Sequence, residues 1–180
     1  MDEATTDVRD RLNRMFSVHG SSVLRYALRR TPSLADAEDA VSETFLVAWR
    51  HVAKIPDDGS LPWLLAVCRR VLANQRRAGA RRSGLTDRLR WLAPRHPETA
   101  PSGAGQATTA LSMLNEADQE LLRLIAWDEL PYDQIATVLR ISPNAVAVRA
   151  HRARARFRTA FAAVVMIGTD PDSSPNEADG

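Results

Sequence analysis

Two residue types are close to missing from this 180-residue chain: Lys54 is the only lysine and Cys68 the only cysteine. A lone cysteine excludes an internal disulfide and offers a metal no second thiolate, so Cys68, inside the apolar segment WLLAVC, reads as a small buried hydrophobe. No apolar run approaches the roughly 18 residues that a helical bilayer span requires. The N-terminal MDEATTDVRD is acidic where a signal peptide is basic and then apolar, which points to a cytoplasmic chain. Alternation of apolar and polar residues is never sustained, which speaks against a strand-built protein. Apolar residues instead recur at helical spacing throughout, and the fold class is all-α.

What is present is a lopsided arrangement of charge. The formal net charge is only +2, yet eight arginines lie between Arg69 and Arg90 against one acid, Asp87. Six more lie between Arg140 and Arg158 against none. Acids gather elsewhere: Asp36, Glu38, Asp39 and Glu43 form one group, Glu116 to Asp133 a second, and the tail DPDSSPNEADG a third. A hydrophobic content of 44% is enough for one folded core or two small ones.

Residues 8 to 30 read as a helical stretch in which Gly20 is the natural point of interruption. Ser33 is a suitable N-cap for a helix to about Val52, where Val41, Phe45, Ala48, Trp49 and Val52 form one apolar stripe. The connector AKIPDDGSLP carries turn chemistry. A new helix then starts near Pro62 and puts Leu64, Val67, Cys68, Val71 and Leu72 on one face. These elements make a first domain over residues 8 to 84. Residues 85 to 109, which include the proline-, glycine- and alanine-rich PRHPETAPSGAGQATT, read as a flexible linker. A second helical domain spans 110 to 165, and residues 166 to 180 read as a disordered tail.

Within the second domain, Tyr132 to Leu139 forms a short helix with Ile135, Ala136 and Leu139 inward. Ser142 as N-cap and Pro143 in the first turn then start another helix at a sharp angle. The result is a helix-turn-helix. At 3.6 residues per turn, Val146, Ala150, Ala153, Phe157 and Phe161 share the packed side of the second helix. Asn144, Val148, His151 and Ala155 occupy the opposite strip, flanked by Arg149, Arg152 and Arg156 on one edge and by Arg154 and Arg158 on the other. Modest side chains that can approach base edges, between guanidiniums that can reach phosphates, suit a DNA major groove. An ordinary solvated face would interleave acids for i,i+4 pairing. His151 fits equally a base contact and a surface residue with no role.

In the first domain Arg69, Arg70, Arg76 and Arg77 come as two pairs seven residues apart on the side away from the core, a second basic surface extended by Arg81 and Arg82. Trp63 at its edge fits either core packing or stacking on an unpaired base. Asp36, Asp39 and Glu43 line an acidic edge at i, i+3 and i+7. Helix capping and solubility account for part of it, and a basic protein partner for the rest. No carboxylate cluster for magnesium and no nucleophile with its base stands out, and His19, His51, His96 and His151 are scattered, so the chain reads as a non-enzyme without metal or cofactor. A one-component regulator with a helical ligand-binding or dimerisation domain would keep the helix-turn-helix but would lack the arginine face of the first domain.

The segments DAEDAVSETFLVAWR, LPWLLAVCRRVLANQRR and YDQIATVLRISPNAVAVRAHRARARFR, in this order and spacing, resemble the extracytoplasmic-function sigma factors of bacteria over most of residues 10 to 163. The resemblance implies a factor that binds core RNA polymerase and directs initiation at specific promoters. Asp36, Glu38, Asp39, Ser42 and Glu43 would bind the clamp helices of the polymerase β′ subunit. Asp57 and Asp58 of the AKIPDDGSLP loop, with Trp63, Arg69, Arg70, Arg76 and Arg77, would engage the minus-ten element. That loop is otherwise a plain connector. In the family its counterpart captures a base flipped out of the non-template strand. Asn144, Val148, Arg149, His151, Arg152 and Arg156 would read the minus-thirty-five element. An anti-sigma factor is a candidate further partner. The sequence departs from the family at Ser42, Arg70, Asn74 and Ala147, where glutamine, asparagine, aspartate and a basic residue are common. These departures bear on individual contacts and promoter preference, not on the class.

Overall fold

The computed structural model describes residues 3–82 and 102–168, and every regular element among them is helical. Helices α1 (Glu3–Leu28), α2 (Leu34–His51) and α3 (Ser60–Arg82) pack pairwise into a first unit, with a 3-10 turn at Val52–Lys54 after α2. In a second unit α4 (Ser102–Ser112), α5 (Glu116–Ala126) and α6 (Tyr132–Leu139) each pack on the long helix α7 (Pro143–Gly168).

Local chemistry sets most boundaries. Ser33 is extended and accepts from the Asp36 N–H at 3.1 Å, and Asn115 does the same for Asp118 at 2.9 Å, so α2 and α5 both open with a side-chain cap. Helix α1 runs unbroken through Gly20, against the expected interruption. Gly20 is buried in mid-helix, and α1 packs along both α2 and α3, which outweighs the roughly 1 kcal/mol that an interior glycine costs. In α2, Val41, Phe45, Ala48 and Val52 are buried as expected, together with Ala37, Ala40 and Thr44. Trp49 is not: it follows Ala48 by about 100° around the helix, which takes it to the stripe's edge at 39% exposure. Leu64, Val67, Cys68, Val71 and Leu72 form the buried face of α3. Burial pushes the Cys68 thiol up to about 12, so it stays neutral and acts as a hydrophobe.

The second unit begins earlier than composition suggests. Residues 102–109 were expected in the linker but belong to α4, whose Ala110 and Leu111 are buried and which packs on α7. Tertiary packing of an apolar face overrides the weak intrinsic helicity of glycine and threonine. Helix α7 likewise continues to Gly168, so residues 166–168 are helical and not part of a tail. The rest of the expected linker, to residue 101, and the tail from 169 lie outside the described residues.

The two units also pack on each other. Helix α3 lies against α6, and the C-terminal end of α1 lies against α5 through a charged cluster. Arg30 is 6% exposed, and its Nε donates to Glu120 Oε2 at 2.8 Å while another nitrogen donates to Asp128 Oδ2 at 3.0 Å. The Tyr26 hydroxyl donates to Glu120 Oε1 at 2.7 Å, and the Arg30 guanidinium stacks 3.6 Å from the Tyr26 ring centroid. Arg29 donates to the Trp127 carbonyl at 2.8 Å and to Asp128 Oδ1 at 3.0 Å, and Arg76 pairs with Glu116 at 2.7 Å. Burial alone would push the Glu120 carboxyl up. The charge and hydrogen bond of Arg30, with the Tyr26 hydroxyl, outweigh it and hold Glu120 below its ordinary value. Burial and the adjacent Glu120 charge push Tyr26 well up, so its hydroxyl keeps its proton and remains a donor.

Candidate nucleic-acid and polymerase interfaces

The helix-turn-helix forms as its sequence dictates. Helix α6 ends where Arg140 turns into the left-handed region (φ 56°, ψ 48°), and the Ile141 N–H donates back to the Ala136 carbonyl at 3.1 Å. Ser142 Oγ then accepts from the Ala145 N–H at 3.2 Å, starting α7 at Pro143. Val146, Ala150 and Ala153 are fully buried and anchor α7; Phe157 and Phe161 are half-buried and stack at 5.9 Å between centroids. In α6, Ile135 and Ala136 are buried as expected, but Val138 is buried and Leu139 only half so. The reason is that α6 is packed on two sides, by α7 and by α3.

The outward strip of α7 is open. Asn144, Val148 and His151 are exposed, Val148 at 44%, and Ala155 is half-buried because three helices flank α7 on a wide arc. The flanking arginines divide into two kinds. Arg149, Arg152 and Arg158 are exposed, with no hydrogen-bond or ion-pair partner among the described residues. Arg154 donates to the Tyr132 hydroxyl at 2.9 Å, and Arg156 pairs at 2.6 Å with Asp118, a buried carboxylate that also accepts from the Asn115 amide at 2.8 Å. Arg156 therefore braces α7 against the start of α5, although its side chain stays 55% exposed.

On α3, Arg69, Arg70 and Arg77 are exposed, while Arg76 turns inward to Glu116 and to the Arg30 carbonyl at 3.3 Å. The four arginines are therefore not one uniform face. Arg81 and Arg82 lie in the last turn of the helix. Trp63 is half-buried, packed in part against the core. On α2, Glu38, Asp39, Ser42 and Glu43 are exposed, and Asp36 is half-buried, receiving the Ser33 hydroxyl. Beside them runs an apolar groove of about 530 Å³ between α1 and α2, lined by Phe16, Gly20, Leu24, Val41 and Phe45, with Phe16 edge-on to Phe45 at 4.9 Å. A protein partner combining basic and apolar side chains matches that surface.

Sequence reasoning missed Arg11, Arg29 and Arg30. Arg11 on α1 donates to the Val52 carbonyl at 2.8 Å and to the Ile55 carbonyl, and it pairs with Asp57 at 2.7 Å, pinning the loop between α2 and α3. No local pattern announces such a contact across more than 40 residues. The only hint for Arg29 and Arg30 was two adjacent cations at a helix end.

An acidic helix face and two arginine-bearing helices, one of them the second helix of a helix-turn-helix, define a DNA-binding protein that also docks on another protein. Comparison with known proteins places it further. Residues 15–82 match the model of sigma-70 region 2 and residues 104–157 that of sigma-70 region 4. The ECF RNA polymerase sigma factor SigL of Mycobacterium tuberculosis is 30% identical over 145 residues, 77% of this chain and 82% of that protein. Among solved structures, CnrH in complex with the cytosolic domain of CnrY aligns with a TM-score of 0.59 at 22% identity, covering 84% of this chain and 88% of CnrH. The sigma factor RpoE in complex with the anti-sigma factor NepR from Bartonella quintana aligns at 0.58 and 19%, covering 90% and 98%. The chain belongs to the extracytoplasmic-function group of the sigma-70 family. It is a sigma factor that directs transcription initiation, and no helix among the described residues is long and apolar enough to cross a membrane.

Proposed function

We propose the following division of labour. The α2 face of Asp36, Glu38, Asp39, Ser42 and Glu43 docks on the β′ clamp helices of core polymerase. The loop from Lys54 to Ser60, with the exposed Arg69, Arg70 and Arg77, engages the minus-ten element, while Trp63 supports that surface from within. Asn144, Val148, Arg149, His151 and Arg152 face the minus-thirty-five major groove, with Arg156 holding α7 in place. The protein acts in the cytoplasm and by binding alone, the chemistry of RNA synthesis being the polymerase's. An anti-sigma factor is a further partner; the sigma factor RpoE is similar in fold and has been solved with one.

The observation that carries this reading is the outward strip of α7: largely exposed, acid-free and edged by Arg149, Arg152 and Arg158, which have no partner among the described residues. A regulator lacking polymerase contacts would have no use for an exposed acidic face on α2 beside an apolar groove on the same chain. Purified protein added to bacterial core polymerase with genomic promoter fragments should yield specific start sites that core alone does not give. Transcripts identical with and without the protein would overturn the assignment.

A further inference from the structure

The acidic segment TDPDSSPNEADG, residues 169 to 180, has no part in the division of labour above, yet it follows directly on α7, the helix that bears the exposed arginines. It holds Asp170, Asp172, Glu177 and Asp179 and no cation. On α7, Arg149, Arg152 and Arg158 are exposed with no hydrogen-bond or ion-pair partner among the described residues, and the helix itself carries no acid. Cations gathered along one helix attract any polyanion within reach. DNA is one such polyanion; the segment is another, and it is tethered.

The two charge patterns match in spacing. Arg158, Arg152 and Arg149 lie 10, 16 and 19 residues before Gly168, or about 15, 24 and 29 Å from it at 1.5 Å per residue. Pro171 and Pro175 favour an extended course. At about 3.1 Å per residue, a chain turning back from Gly168 brings Asp172 about 12 Å and Glu177 about 28 Å along the helix. Asp172 then comes within an arginine side chain's length of Arg158, and Glu177 with Asp179 reaches Arg152 and Arg149. The track is open: Ala162 and Met166, which continue the outward strip from Arg158 at i+4 and i+8, are exposed, Met166 at 77%.

We propose that residues 169–180 fold back along α7 as an internal stand-in for the phosphate backbone, occupying Arg149, Arg152 and Arg158 until DNA displaces them. Effective concentrations on a short tether are millimolar, so a contact too weak to form between separate molecules is populated within one. Displacement lowers affinity for every duplex by the same factor. Random sequence, weakly bound to begin with, is therefore released first, and the ranking among sequences is unaltered.

This rests on α7 as the DNA-facing helix, and the test keeps the two apart. Wild type is compared with D170N/D172N/E177Q/D179N, and that neutral-segment chain with one that also carries R149A/R152A/R158A. The probe is a fluorescent mixed-sequence duplex of about 20 base pairs, titrated from about 50 mM salt upward. Neutralising the segment should tighten duplex binding about threefold or more at low salt, and the difference should fade as salt screens the internal contact. The contact itself is read without DNA. A nitroxide on Ala178→Cys should broaden the α7 amides from Val148 to Arg158 when the segment is acidic and not when it is neutralised; the native Cys68 is buried and unreactive. Absent broadening, or broadening centred on the arginines of α3, would overturn the proposal. Equal duplex affinity of wild type and the neutral-segment chain would do the same. If the added arginine substitutions leave duplex binding unchanged, the DNA reading of α7 fails, and the competition falls with it even where the segment touches the helix.

Discussion

Removing the Glu120 carboxylate tests the physics of the interface most directly. Glu120→Ala deprives the Tyr26 hydroxyl and Arg30 Nε of acceptors now at 2.7 and 2.8 Å. It leaves a guanidinium that is only 6% exposed with Asp128 and the Tyr26 carbonyl. Deleting one partner of a buried ion pair costs about 3–5 kcal/mol, because the other charge is stranded away from water. Asp128 still faces Arg30, which puts the expected loss at the low end, about 3 kcal/mol. A core ion pair would draw this from the folding of a single unit. Here the pair lies between the two units, so the loss falls on their closed packing and should weaken it about a hundredfold at 1.4 kcal/mol per decade. Small-angle scattering should show a larger radius of gyration for Glu120→Ala than for wild type, with unchanged helical content. The double variant Arg30→Met/Glu120→Leu, which removes both charges, should recover part of the closure. Scattering and urea midpoint both indistinguishable from wild type would refute the reasoning.

Glu120 is held below its ordinary value, so its contribution to closure is complete above the ordinary glutamate pKa and is lost as pH falls through the depressed one; Trp127, under Arg29 and Arg123, should report opening by fluorescence only in acid. Reversing Asp39 and Glu43 to lysine should alter stability by less than about 0.5 kcal/mol, since both are exposed, while weakening capture of core polymerase at least tenfold in pull-down. Arg152→Ala should lower the salt dependence of minus-thirty-five binding by about one phosphate contact without changing the urea midpoint. Arg156→Ala should instead cost about 1–2 kcal/mol of stability, because it leaves the buried Asp118 without its cation. Gly20→Ala should raise the melting temperature by the equivalent of about 0.5–1 kcal/mol: the added Cβ would meet the Phe16 ring at 3.6 Å, an ordinary contact.

Much of this molecule is legible in the sequence because it is decided within a few residues. Ser33 and Ser142 cap the helices that follow them, the break at Ile141-Ser142-Pro143 makes the helix-turn-helix, and the i, i+4 and i+7 spacing of Val146, Ala150 and Ala153 names the buried side of α7. Segregated charge is equally plain in one dimension, so the acidic helix and the two arginine-bearing helices stand out in the sequence as candidate partner surfaces. Only the tertiary structure decided which charges are spent inside the molecule. Arg76 and Arg156 look like their neighbours in sequence, yet each pairs with an acid about 40 positions away, and Arg30 meets Glu120 across 90. The packing of α3 on α6 decided the second buried side around Val138, and packing on α7 made a helix of residues expected in a linker. Caps and periodicity are set by bonds and side chains a turn or two apart, whereas an ion pair depends on which surfaces meet once helices pack. That meeting has no period, so an arginine destined for solvent and one destined for a buried carboxylate are written with the same letter in the same local pattern.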